Sequence, residues 1–260
     1  MKKLSGFVCM YLMVQLCYAQ NHIYHSLASE IKKNISFAAA YTYNNEPDYN
    51  IDSLCLATAK KSVKLLANTN WTNVNYKVLG LRLSLTSGDR TEIKIFNFGY
   101  DCGGTRRIIT HPIIQWKNTS GKTFAYNLSS NINCDFNEIY KLKSPGKNRY
   151  LLIGQESGDG NCYQSVAYVI EIRGDHLIID QPAFADLGYI NLCNMEFDFD
   201  SKTQILRGLL AHASPRSDLD ALMPGVKTEK LKTLIGKGYY GEPSEFSLRF
   251  DGQKFVKIER

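Results

Sequence analysis

The residues best equipped for chemistry stand in one short run, Gly158-Asp159-Gly160-Asn161-Cys162-Tyr163. A thiol becomes a nucleophile when a neighbouring base or positive field lowers its pKa. Here Asp159 places a carboxylate three residues before Cys162, and two glycines free the backbone to turn. A second set is Glu196, Asp198 and Asp200, alternating with Met195, Phe197 and Phe199. On a strand this spacing puts the three carboxylates on one face, where paired carboxylates could cleave a glycoside and clustered oxygens could hold calcium. An amphipathic strand with a solvated outer face has the same pattern, and Asp198-Phe199-Asp200-Ser201-Lys202 lacks the glycine and closing glutamate of a calcium loop. Arg106 and Arg107, beside Gly103-Gly104, could receive an anion through guanidinium and backbone N–H groups. An ordinary strand start has the same residues.

The six-residue run around Cys162 resembles the Asp-Gly-Asn-Cys signature of OTU-type cysteine proteases. The resemblance implies Cys162 as nucleophile, a helix opening at that cysteine, and a C-terminal histidine followed by an aromatic residue. It covers about six of 260 residues. The sequence departs from it in two places. Gln164 to Ile170 alternates as a strand does, and the downstream histidines are His176-Leu177 and His212-Ala213. Without a base for Cys162, the alternative to a protease site is a glycine-rich hairpin loop between two strands.

Other chemistries lack their residues. His22, His25, His111, His176 and His212 are dispersed, no Cys-x-x-Cys occurs, and neither a metal nor a cofactor is expected. No phosphate-binding loop, dinucleotide fingerprint or Gly-x-Ser-x-Gly elbow is present. Asn34, Asn70, Asn118 and Asn127 each head an Asn-x-Ser/Thr triplet. The net charge of +6 is small and its lysines are scattered, which argues against nucleic acid as a partner.

The N-terminus predicts where the protein works. Lys2 and Lys3 precede an apolar run (Phe7, Val8, Met10, Leu12, Met13, Val14, Leu16) that closes on Cys17-Tyr18-Ala19. This is the layout of a cleavable secretory signal peptide over residues 1–19, and it is too short for a membrane span. Cleavage after Ala19 would start the mature chain at Gln20, in the periplasm or outside the cell.

Two helical stripes come first: Leu27, Ile31, Ile35 and Ala38, then Leu54, Cys55, Ala59, Val63 and Leu66, the latter with Asp52 as expected N-cap. A helical segment over 20–74 is therefore expected. From about residue 75 the apolar period becomes two, and short candidate strands follow to residue 260, among them 106–116, 122–128, 138–142, 150–155, 163–172, 190–199 and 204–212. Asp251-Gly252 predicts a type I′ hairpin. The expected fold is mainly β with a short helical N-terminal part (α+β), an antiparallel up-and-down meander packed with the helices as one unit, barrel-like or irregularly propeller-like. A long irregular segment, 214–242, interrupts it.

Counting strand directions gathers Cys102, Cys134, Cys162 and Cys193 at one end of such a meander, with Cys55 in a helix. The expected bridges are Cys102–Cys134 and Cys162–Cys193. Loops held by a rigid sheet commonly carry function. The same end, with Asp101, Arg106, Arg107, Glu156 and Asp159, is thus the expected binding surface. The expected function is an exported binding or structural envelope protein with a protein or glycan partner. A hydrolase using Cys162, or the Glu196/Asp198/Asp200 face, is the alternative.

Overall fold

The computed structural model describes residues 24–45, 50–68, 75–86, 93–103, 108–157, 163–193, 195–210 and 245–258. The whole of the expected irregular segment, 214–242, lies outside them.

Both expected helices form. Helix α1 covers residues 24–40 and α2 spans Ile51–Ala67, followed by a single turn, α3, Tyr76–Leu79. The N-cap of α2 is Asn50, not Asp52. The Asn50 side chain accepts the Ser53 N–H at 3.0 Å, while Asp52 sits in the first turn and its Oδ1 accepts the Tyr100 hydroxyl. A tertiary contact has taken the expected cap residue for another use.

Fourteen strands follow among the described residues: β1 Arg82–Leu83, β2 Leu85–Thr86, β3 Ile93–Asp101, β4 Ile108–Lys117, β5 Thr123–Asn127, β6 Asp135–Lys141, β7 Asn148–Ser157, β8 Tyr163–Arg173, β9 His176–Ile178, β10 Tyr189–Cys193, β11 Met195–Asp200, β12 Ile205–Leu210, β13 Glu245–Phe250 and β14 Phe255–Lys257. They form three sheets. The first has order β1-β3-β4-β5, the second β10-β8-β7-β6-β2 with β9 also on β8, and the third β11-β12-β13-β14. Pairing is antiparallel throughout except for the short parallel β2–β6 contact. The protein is mainly β with a few helices, and no closed barrel is found among the described residues.

The layers stack because the inner strands are apolar on both faces. On β3, Phe96, Phe98 and Tyr100 face the helices, while Ile93 and Ile95 face the second sheet. On β8, Val166, Tyr168 and Ile170 meet the first sheet, while Ala167 and Val169 meet the third. Three cores result: helices on first sheet, first on second, second on third.

The expected strand 190–199 is two strands in two sheets. Ile190 and Leu192 carry the inward positions before Asn194, and Met195 and Phe199 carry them after it. An even-to-odd phase change cannot be kept on one flat strand, because side chains alternate faces with a period of two. The chain therefore leaves the second sheet after Cys193 and joins the third at Met195. The β13–β14 hairpin forms, but its turn is not type I′. Of the two central residues only Gly252 has positive φ (+104°), and Asp251 Oδ1 accepts the N–H groups of Gln253 and Lys254, each at 2.8 Å.

Candidate functional site

Strand direction places one set of strand ends together. Asp101 closes β3 opposite Ile108, Asp135 opens β6 opposite Gln155, and Glu156 on β7 pairs with Gln164 on β8. Gln164 in turn lies opposite Cys193 at the end of β10. Asn133, just before β6, joins the first two sheets here by accepting the Thr110 N–H at 2.7 Å. Of the expected binding residues, Asp101 and Glu156 lie at this end. Arg106, Arg107, Asp159 and Cys162 lie outside the described residues.

The surface is built around a buried amide. Asn191 on β10 donates from Nδ2 to Glu156 Oε2 at 3.1 Å and to Gln164 Oε1 at 2.9 Å. Asp101 is used locally, accepting the Gly103 N–H at 2.9 Å. Asp135 meets Arg82 at 2.6 Å in a largely exposed pair, which contributes little to stability. This end presents hydrogen-bonding side chains on strand termini.

The cysteines divide differently from expectation. Cys102 and Cys134 are both reduced, so the expected Cys102–Cys134 bridge is not formed. Cys102 and Cys134 follow β3 and precede β6 at the same set of strand ends, but in different layers. Cys102 packs against the core between helices and first sheet, while Cys134 is fully buried between first and second sheets. There it fills the space beside Gly154, where a Cβ would come within 2.7 Å of its Sγ and 2.5 Å of the Asp135 carbonyl. Cys193 closes β10 and is buried.

The described thiols are poorly suited to nucleophilic attack. Burial pushes Cys55 up to about 12, with the Asp52 charge adding to it. Burial raises Cys134 well above an ordinary thiol, helped by the charges of Glu156 and Asp135. Cys102 is raised as well, chiefly by burial. A thiol attacks as its thiolate, and all three are held protonated at neutral pH.

The protease resemblance implies a helix opening at Cys162, but β8 begins at Tyr163, the next residue. The carboxylate face on β11 is solvated. Glu196 and Asp198 are exposed, and Asp198 stands 3.9 Å from Arg207 across the pair of strands. Asp200 builds the following turn instead, accepting the Thr203 hydroxyl at 2.7 Å and the Lys202 N–H at 2.8 Å. These bonds, the Thr203 hydroxyl foremost, hold its carboxyl below the usual range. Among the described residues, no three His, Cys, Asp or Glu side chains are arranged to hold a metal ion.

Sequence reasoning passed over one group, His111 on β4 with Tyr100 and Asp52. His111 is only 3% exposed and stacks on Phe98 and Tyr100, at ring separations of 5.0 and 6.2 Å. The signal was available, because Ile109 and Ile113 flank it at the strand period and mark its face as buried. No family model, curated protein or solved structure matches the chain, and no helix among the described residues is long and apolar enough to cross a membrane.

Proposed function

We propose that this is an exported, non-catalytic β-rich protein that binds a protein or glycan partner, or builds an envelope assembly, through the loop end of its second sheet. The observation that carries this reading is the state of the cysteines. The three described reduced thiols, Cys55, Cys102 and Cys134, are buried or half-buried and held protonated, which supports a non-catalytic reading. In this reading Cys162 is the partner of Cys193. Gln164 lies opposite Cys193 in the ladder, and Cys162 precedes Gln164 by two positions in the sequence, the spacing that returns a strand to the same face. The bridge would tie the Gly158–Asn161 loop to β10 and leave Cys162 unavailable as a nucleophile.

Non-reducing peptide mapping of protein exported by its own leader tests both parts. The expected result is a mature N-terminus at Gln20, a Cys162–Cys193 peptide pair, and no labelling of Cys162 by iodoacetamide at neutral pH. Retention of residues 1–19 would overturn export. A free Cys162 that alkylates rapidly in the folded protein would overturn the binding reading and favour the hydrolase.

A further inference from the structure

We propose that the helical layer, α1 with α2, is an acid-released cap on the first sheet, and that His111 beneath α2 is its trigger. The seam under α2 is lined on β4 by polar groups without partners, His111 and the Gln115 Oε1. The buried face of α2 includes the small side chains Cys55, Thr58, Ala59 and Ser62, which bury less apolar area per residue than the Ile, Leu and Phe of the inner cores. Six buried side-chain polar atoms among the described residues have no hydrogen-bond partner, and four of them lie on α2 and β4. They are Ser62 Oγ on α2, and His111 Nδ1, His111 Nε2 and Gln115 Oε1 on β4. Each such orphan weakens the packing that covers it.

Two polar contacts hold α2 to the sheet at its ends. Tyr100 donates its hydroxyl to Asp52 Oδ1 in the first turn, and Gln115 Nε2 donates to the Leu66 carbonyl in the last, at 2.6 Å. His111 lies in the core between them and is neutral. Burial lowers its pKa to about 4, against a smaller upward pull from Asp52. The titratable groups around this core are Tyr24 on α1 and Tyr41 after it, Asp52 and Cys55 on α2, Tyr76 on α3, and Tyr100 and Cys102 on and after β3. Only Asp52 among them is a carboxylic acid, and its Oδ1 already accepts from Tyr100. A proton on His111 would add a buried charge and a second N–H donor where neither ring nitrogen has a partner. Lifting the helices returns the imidazolium to water.

The sign follows. A histidine whose folded pKa lies below its free value of about 6.5 binds its proton more readily when uncovered, so acid favours the lifted state. From these two pKa values, the lifted population rises about 20-fold between pH 7 and pH 5. Sub-global opening of one peripheral layer while inner strands stay closed is ordinary protein behaviour.

Hydrogen exchange of the full chain at pH 7 and pH 5, corrected for intrinsic exchange, tests this. The expected result is that α1 and α2 amides exchange about 20-fold faster at pH 5 while β7 and β8 stay protected, and that His111→Phe removes the difference. Equal protection at both pH values, uniform loosening of every layer, or an unchanged pH effect in His111→Phe would overturn it. Should His111→Phe fail to fold, the ring-proton titration of His111 in the wild type decides. A midpoint near 4 supports the trigger, and one near 6.5 removes it.

Discussion

Replacing Glu171 with Gln is expected to destabilise the protein by about 3 kcal/mol, the lower end of what breaking a buried ion pair costs. Glu171 is 2% exposed and Arg149 6%, and Arg149 Nε donates to Glu171 Oε2 at 3.0 Å. The guanidinium also donates to the Gln253 carbonyl at 2.7 Å and to Gln181 Oε1 at 3.4 Å. One buried cation thus joins β7, the connection after β9 and the β13–β14 hairpin. The substituted amide would keep an acceptor but remove the charge, leaving the Arg149 cation uncompensated in the interior. Arg173 also reaches Glu171, at 2.7 Å, but its side chain is largely exposed, so Arg173→Ala should cost under about 1 kcal/mol. For a chain of this size, a loss of about 3 kcal/mol lowers Tm by roughly 6–12 °C. The double variant Arg149→Met/Glu171→Leu should recover most of that loss, because two apolar side chains remove both desolvation costs. Urea denaturation of wild type, singles and double gives the coupling directly. Burial pushes the Glu171 carboxyl up, but the hydrogen bonds from Arg173 and Arg149 outweigh it and hold the group below its usual value. Its contribution is therefore fully present at neutral pH and fades as pH falls through the folded pKa, so Glu171→Gln should approach wild type in acid. A single-variant loss under about 1 kcal/mol, or a double variant no better than the sum of the singles, would refute the reasoning.

Two further outcomes are expected. Gly154→Ala should cost at least about 1–3 kcal/mol, because the added methyl meets the backbone of Asp135 and Phe136 at 2.5 and 2.8 Å rather than a side chain that can swing away; thermal melting checks it, and a Tm within a degree of wild type would count against the close approach. Asn50→Ala should cost about 1 kcal/mol by freeing the Ser53 N–H, whereas Asp52→Asn should leave the cap intact; denaturation midpoints of the two variants distinguish cap from first-turn residue.

Much of the local structure was legible in the sequence. The stripe Cys55, Ala59 and Leu66 marked α2, since an α-helix brings such positions to one side. The change to period two after residue 75 marked the strands. The stretch Gln164 to Ile170, which reads as alternating, is instead covered on both faces from Val166 to Ile170. Other features depended on partners distant in the chain. Nothing within 190–199 alone states that the phase change at Asn194 is a crossing between sheets, because a bulge within one sheet gives the same pattern. Cys102 and Cys134 share an end but face different cores, and direction counting says nothing about depth through a stack of layers. Asp52 reads as a cap until Tyr100 arrives from β3 to claim its carboxylate. Periodicity determines which way a side chain points relative to its own strand or helix, because that is set by backbone geometry over a few residues. What it points at is decided by the apolar area that whole layers can bury against one another, and that exists only once the chain has closed.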